Sequence, residues 1–310
     1  MLASLRLLRV MRAAQSYIRG QIPNKLGLSS WQNIKCFNSL TKIKAFHYLI
    51  FEGIFMKKLV VALSACLMMV SSFAQEKELK VAIDPTYEPF TFKTADGKPT
   101  GFDVDIANAI CAQAKRKCVF VEQVWDGMIP GLIAKKYDTI ISSMSITEER
   151  LKKVDFTDKY YNTPSKIVLK KDVKYAGIAS IKGKKIGVLK GSTQEKYAKG
   201  ELATQGVTVS TYDAQDQVYL DIKAGRLDGT VADELEVTGG FLSKPDGQNY
   251  TVVGDPLYIP KYFGTGAGFA IRKGDKALKD ELNAALKAIR ANGTYKKIND
   301  KYFKIDVYGK

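Results

Sequence analysis

Apolar and polar positions fall into two series along the chain. In the first, 80–83, 119–121 and 138–142 read as strands, and 103–115 and 127–136 read as the helices between them. The pattern pauses at Tyr160-Tyr161-Asn162-Thr163-Pro164 and resumes at 166–169. The second series has strands expected at 185–189, 207–211 and 229–232, with helices at 195–199, 215–224 and 234–242. A last apolar run at 266–271 precedes helices expected at 276–291 and 294–302. Strands alternating with helices imply parallel sheets with helices covering them, so the expected class is α/β.

The start of the chain reads differently. Met56-Lys57-Lys58, an apolar run over 59–70 and the small-residue ending Ser71-Ser72-Phe73-Ala74 form a signal peptide with cleavage expected after Ala74. The run is too short to span a bilayer. A lipoprotein box at Leu63-Ser64-Ala65-Cys66 is the alternative, with Cys66 lipidated, but the apolar run continues through Leu67-Met68-Met69-Val70 where a polar tether is expected. Residues 1–55 are Arg-rich, with Glu52 as their single acidic residue. They read as an extension upstream of a start at Met56, or as an amphipathic presequence in which Leu5, Leu7, Leu8, Met11 and Ile18 alternate with arginines. Either way they stand outside the fold. The remaining residues, 75–310, are long for one core and suffice for two lobes.

Charge and composition narrow the chemistry. The whole chain has 48 basic and 32 acidic residues, but ten basic residues and one acidic residue precede Gln75, leaving a balance of 38 to 31, or +7. Lysines scattered over polar helix faces account for this excess without nucleic acid. The single histidine, His47, lies upstream of the signal peptide, which removes His-based triads, metal sites and general bases from the mature chain. Of four cysteines, Cys36 and Cys66 are also upstream. Cys111 and Cys118 remain, and seven positions of separation fit a local disulfide, half a metal site or two buried thiols.

Two segments suggest a carboxylate site. Ile140-Ile141-Ser142-Ser143-Met144-Ser145-Ile146-Thr147-Glu148-Glu149-Arg150 ends an apolar run in small hydroxyl residues and then supplies an arginine, whose planar fork matches a carboxylate. Gly187-Val188-Leu189-Lys190-Gly191-Ser192-Thr193-Gln194-Glu195 passes from a strand through glycine into a helix start, where N–H groups are unpaired. Taken singly, Arg150 reads as a solvated charge and Ser192-Thr193 as an ordinary N-cap.

Further segments accompany them: Asp84-Pro85-Thr86-Tyr87-Glu88-Pro89-Phe90, Gly101-Phe102-Asp103-Val104-Asp105-Ile106-Ala107, Trp125-Asp126-Gly127-Met128-Ile129-Pro130-Gly131-Leu132, Gly225-Arg226-Leu227-Asp228-Gly229 and Tyr262-Phe263-Gly264-Thr265-Gly266. In order and spacing, about 77–310 resembles the periplasmic solute-binding proteins of family 3, in the branch that binds lysine, arginine, ornithine or histidine for ABC importers. The resemblance implies a two-lobed type II binding protein, each lobe a mostly parallel sheet flanked by helices. Lobe one would be 75–161 plus 266–310 and lobe two 165–257, with crossover strands at 162–164 and 258–265 as hinge. It also implies a disulfide between Cys111 and Cys118. Residues 1–55 have no counterpart in the family.

Roles follow from the same resemblance. Arg150 would grip the ligand α-carboxylate, helped by the backbone at Ser145 and Thr193. Asp233 would take the α-ammonium with Ser143 or Ser145, and Asp84 the distal cation beside Ser142. Tyr87 and Trp125 would flank the aliphatic stem, while Leu189, Ser192 and Gln194 complete the lining. Two carboxylates and one guanidinium balance a cationic amino acid, whereas glutamate or glutamine leaves Asp84 against a like charge or without a counter-ion. The flat indole of Trp125 favours a guanidinium and hence arginine. The expected protein is a monomer that docks on a membrane permease, with no cofactor, metal or catalytic residue. A dehydratase-like enzyme on this fold and a sensor domain are the alternatives; the first needs an acid or base beside a reactive carbon, the second an attached membrane and signalling segment.

Overall fold

A computed structural model describes residues 77–309. The signal-peptide, lipoprotein and upstream-extension readings for 1–74 lie outside the described residues. The chain enters a sheet at β1 (Lys77–Ile83), where Val81, Ala82 and Ile83 are all fully buried. Continuous burial marks a strand covered on both faces. Leu79, Val81 and Ile83 face one core and Ala82 the other, as the two-residue period requires.

A short hairpin, β2 (Phe92–Lys93) and β3 (Pro99–Thr100), leads to α1 (Phe102–Gln113), β4 (Arg116–Glu122), a turn of 3-10 helix at Trp125–Gly127, α2 (Met128–Ile133), β5 (Thr139–Ile140), the single turn α3 (Glu148–Leu151) and β6 (Val154–Tyr161). The second set is β7 (Ser165–Lys170), β8 (Lys185–Leu189), α4 (Thr193–Tyr197), β9 (Thr208–Tyr212), α5 (Gln215–Lys223), β10 (Gly229–Asp233), α6 (Glu234–Val237) and β11 (Tyr250–Leu257). The turn α7 (Pro260–Phe263), then β12 (Ala267–Arg272), α8 (Lys276–Ala291) and α9 (Thr294–Tyr302), follow.

These elements build a two-lobed α/β fold. The first sheet has strand order β4-β1-β5-β12-β6 and the second β11-β7-β10-β8-β9. Each is mixed: β4, β1 and β5 run parallel, as do β10, β8 and β9, while β12 lies antiparallel to β5 and β6, and β7 antiparallel to β10 and β11. Helices α1, α8 and α9 cover one face of the first sheet through Phe102, Ile106, Leu282, Ile289 and Tyr295, and Met128, Leu132 and Tyr137 pack on the other. The second sheet likewise separates Tyr197 and Leu202 from Val218, Ile222 and Phe241. Residues 162–164 carry the chain from β6 to β7, and the return between β11 and β12 contains the helical turn α7.

Several elements depart from the hydrophobic pattern. The edge strands β6 and β11 were not predicted, because β6 mixes Asp155, Asp158 and Lys159 with apolar residues and β11 contains Gly254 and Pro256. β5 is shorter than 138–142, since the chain turns away at Ser143 with φ 55°. α2 stops well before 136, α4 starts two residues ahead of 195 and passes into a π turn at Ala198–Leu202, and α6 similarly passes into a π turn at Thr238–Leu242. Gly101, at φ 122°, is required: a Cβ there would stand 2.2 Å from the Phe90 carbonyl oxygen.

Cys111 on α1 and Cys118 on β4 form a disulfide of 2.03 Å. No helix among the described residues is long and apolar enough to cross a membrane.

Candidate functional site

Parallel register gathers the site. β1 pairs with β5 so that Ala82 faces Ile140, and the residues just past both strand ends, Asp84 and Ser142, meet where the Asp84 N–H donates to the Ser142 hydroxyl at 3.0 Å. In the second sheet β8 ends at Leu189 and β10 at Asp233, on the corresponding edge. One cavity lies between these edges. Asp84, Tyr87, Trp125, Ser142, Ser143, Ser145 and Arg150 line it from lobe one; Leu189, Ser192, Thr193, Gln194 and Asp233 line it from lobe two.

Arg150 is the cation of the cavity. It sits on α3, whose N-cap Thr147 accepts from the Arg150 N–H at 3.3 Å, and its side chain is buried. Its guanidinium donates to the Ser145 carbonyl at 3.0 Å and reaches across to the Gly191 carbonyl at 3.4 Å. The carbon of that guanidinium stands 5.4 Å from the Trp125 ring centroid, so one side of the indole meets Arg150. Burial pulls the guanidinium down to about 10, with Glu149 opposing, which leaves it charged at neutral pH.

Two carboxylates line the same cavity. Asp84 is 4 % exposed and accepts from the Thr86 hydroxyl at 2.8 Å and the Thr86 N–H at 3.2 Å. Burial pushes it up to about 6 despite the Thr86 bonds. Asp233 is the N-cap of α6, accepting from the Leu235 N–H at 3.0 Å and from the Thr163 hydroxyl. Burial also raises it to about 6, against the Thr163 bond. Tyr87 extends from lobe one toward this group: burial, then the Asp233 charge, hold its hydroxyl well above the ordinary tyrosine range.

Lobe two presents a helix start. Gly191, at φ 73°, turns the chain beyond β8, and a Cβ there would lie 2.9 Å from Asp126 Oδ1 on the facing lobe. The Ser192 hydroxyl then accepts from the Glu195 N–H at 3.0 Å, and Glu195 accepts from the Gly191 N–H at 2.6 Å, closing the first turn. The Gln194 amide donates to the Ser165 hydroxyl at 3.0 Å.

Residues 79–305 match the family model for bacterial extracellular solute-binding proteins, family 3. The chain belongs to that family. It is 49% identical over 257 residues to an L-arginine-binding protein of Pseudomonas aeruginosa, covering 82% of this chain and 99% of that protein. A histidine-binding periplasmic protein of Salmonella typhimurium is 42% identical over 260 residues, with 82% and 100% covered. Among solved structures, a Salmonella typhimurium periplasmic binding protein described for high arginine specificity superposes with a TM-score of 0.69 at 34% identity, covering 74% of this chain and 100% of that one.

The cavity of this solute-binding protein has further walls that the chain pattern did not single out as ligand-facing. Tyr161, Asn162, Thr163, Ser165, Phe263, Gly266 and Ala267 also line it. Most come from the interlobe connections or from antiparallel partners: Ser165 lies opposite Asp233 in the β7–β10 register, and Ala267 bridges to Ser145. The Tyr160-Tyr161-Asn162-Thr163-Pro164 pause was the available signal, since chain crossing between two lobes must pass the cleft.

Arg150, Asp84 and Asp233 are all buried, and none forms a salt bridge among the described residues. Their formal charges sum to one negative. Desolvated charges without ionic partners are costly, and a ligand that pairs all three relieves that cost.

Proposed function

We propose that the protein is the periplasmic binding component of an ABC importer for cationic L-amino acids, arginine foremost, with lysine, ornithine and histidine as further ligands. The observation that supports this reading is the set of three buried, ionically unpaired charges, two negative and one positive. A cationic amino acid carries the complementary set, an α-carboxylate, an α-ammonium and a distal cation. In this reading Arg150 holds the carboxylate, with the Ser145 and Thr193 backbones, and Asp233 holds the ammonium with Ser143 or Ser145. Asp84 meets the distal cation beside Ser142. Tyr87 and Trp125 flank the stem, and Leu189, Ser192 and Gln194 complete the wall. Both carboxylates serve as cation partners, so the reading includes no reaction.

Export through a signal peptide at 56–74, cleavage after Ala74, a monomeric mature chain and docking of the closed lobes on a permease belong to the same proposal. Lobes of 75–161 plus 266–310 and of 165–257 hinge at 162–164 and 258–265.

Calorimetric titration of residues 75–310 with single amino acids tests it. Arginine, lysine and ornithine are expected to bind, histidine to bind as its imidazolium and best near pH 6, where ligand and carboxylates are both partly charged, and glutamate and glutamine to fail to displace arginine at hundredfold excess. Tighter binding of glutamine or glutamate than of arginine overturns the proposal.

A further inference from the structure

Asp103 is a fully buried carboxylate that does not line the cavity. It stands in the first turn of α1, yet no side chain caps that helix, and the Asp103 oxygens go elsewhere. One accepts from the Tyr160 hydroxyl at 2.7 Å; the other accepts from the Ser143 hydroxyl at 2.9 Å and the Thr91 hydroxyl at 3.3 Å. The Tyr160 hydroxyl in turn accepts from the Ser143 N–H at 3.0 Å. Both donors of Ser143, main chain and side chain, therefore end on the Asp103 and Tyr160 pair.

This matters because Ser143 does line the cavity, and does so at φ 55°, a backbone conformation that a serine adopts only when its surroundings impose it. A serine hydroxyl has one proton and two lone pairs. With the proton committed to Asp103, lone pairs alone remain for the cavity. Such an oxygen accepts from an ammonium and offers nothing to a carboxylate.

We infer that Asp103 is a positioning residue that fixes the Ser143 hydroxyl as an acceptor for the ligand α-ammonium group, while Tyr160 holds Ser143 in the left-handed turn that presents it. The inference rests on the functional reading above and chooses Ser143 for the ammonium where that reading leaves Ser143 or Ser145. An asparagine at 103 would remove this constraint, since its amide can donate to Ser143 and release the serine proton toward the ligand.

The test is a double-mutant cycle at pH 8, read by calorimetry, with L-arginine and with 5-guanidinopentanoate, the same molecule lacking the α-amino group. Asp103→Asn is expected to weaken L-arginine by roughly 10- to 100-fold, the range for one hydrogen bond to a charged group. In a Ser143→Ala background the same change should cost less than about threefold, because the hydroxyl it acts through is gone. Binding of 5-guanidinopentanoate should move by less than about threefold in Asp103→Asn. If Asp103→Asn fails to fold, Tyr160→Phe replaces it and is expected to show the same selective loss. Equal weakening of both ligands, or an undiminished loss of L-arginine binding in the Ser143→Ala background, overturns the inference. Wild-type protein that prefers the des-amino compound, or binds neither, overturns the functional reading and this inference with it.

Discussion

The Asp84 backbone N–H and the Ser142 hydroxyl, 58 positions apart in the chain, meet at 3.0 Å beyond the ends of adjacent parallel strands. That bond places a buried carboxylate at the floor of a cleft whose opposite wall carries Asp233. Such a site is built at the expense of the ligand-free fold, because each charge is desolvated before its partner arrives.

Arg150→Met keeps the contact with Trp125 and removes the charge. Arginine binding is expected to weaken by about 30-fold to several thousand-fold, the range for deleting one partner of a buried charge pair. The ligand-free variant should be at least as stable as the wild type, since an unpaired buried cation is gone. Urea unfolding beside calorimetry checks both, and a large loss of ligand-free stability would assign Arg150 to structure instead.

Acidity should act in opposite directions on the fold and on binding. Asp84, Asp103 and Asp233 are raised by burial from 3.8 to about 6. A carboxyl raised in the folded state contributes stability that is complete below its unfolded value and lost as pH rises through about 6. These three groups should therefore make the ligand-free protein more stable at pH 5 than at pH 8. In the proposed pairing arginine meets Asp84 and Asp233 ionised, so its affinity should be on the order of 100-fold weaker at pH 5 than at pH 8. Binding near pH 6 should release protons, seen as a dependence of the calorimetric heat on buffer ionisation. A flat affinity from pH 5 to 8 would refute the pairing.

The disulfide joins α1 to β4 away from the cleft. Reduction is expected to cost about 2 to 3 kcal/mol, as for a short closed loop, while the order of ligand preference stays unchanged. Unfolding and competition binding with and without reductant measure the two effects.

Ion pairs across the cleft should matter little. Lys190 and Asp126 meet at 3.0 Å with both side chains about half exposed, and Lys196 pairs with Glu149 near the same rim. Asp126→Asn is expected to change arginine affinity by less than about threefold. X-ray scattering should still show it contracting with arginine, whereas Arg150→Met should not contract at ligand concentrations that saturate the wild type.

Much of the fold was legible because strands buried on both faces are mostly apolar, as at 81–83 and, apart from Thr230, at 229–232. β6 and β11 were not, since the residues that break their apolar pattern sit at irregularities of the ladder: the register of β6 shifts around Asp158, and that of β11 shifts between Val253 and Leu257, across Pro256. In the site, strand-end residues such as Asp84 and Asp233 could be read from where apolar runs stop. Ser165 and Ala267 could not, because their place depends on antiparallel register that no local pattern encodes. Trp125 is a different case: no sequence signal says which cation an indole meets, and here Arg150 stands over its ring.

Citrulline isolates the central claim, because it matches arginine in shape but replaces the guanidinium with a neutral urea. Competition calorimetry at pH 8 should find arginine at least about 100-fold tighter than citrulline on the wild type, the lower range for leaving a buried carboxylate without its cation. On Asp84→Asn the gap should shrink below about tenfold. A wild type that binds both alike, or an Asp84→Asn variant that keeps the full preference for arginine, would contradict selection by charge balance at Asp84.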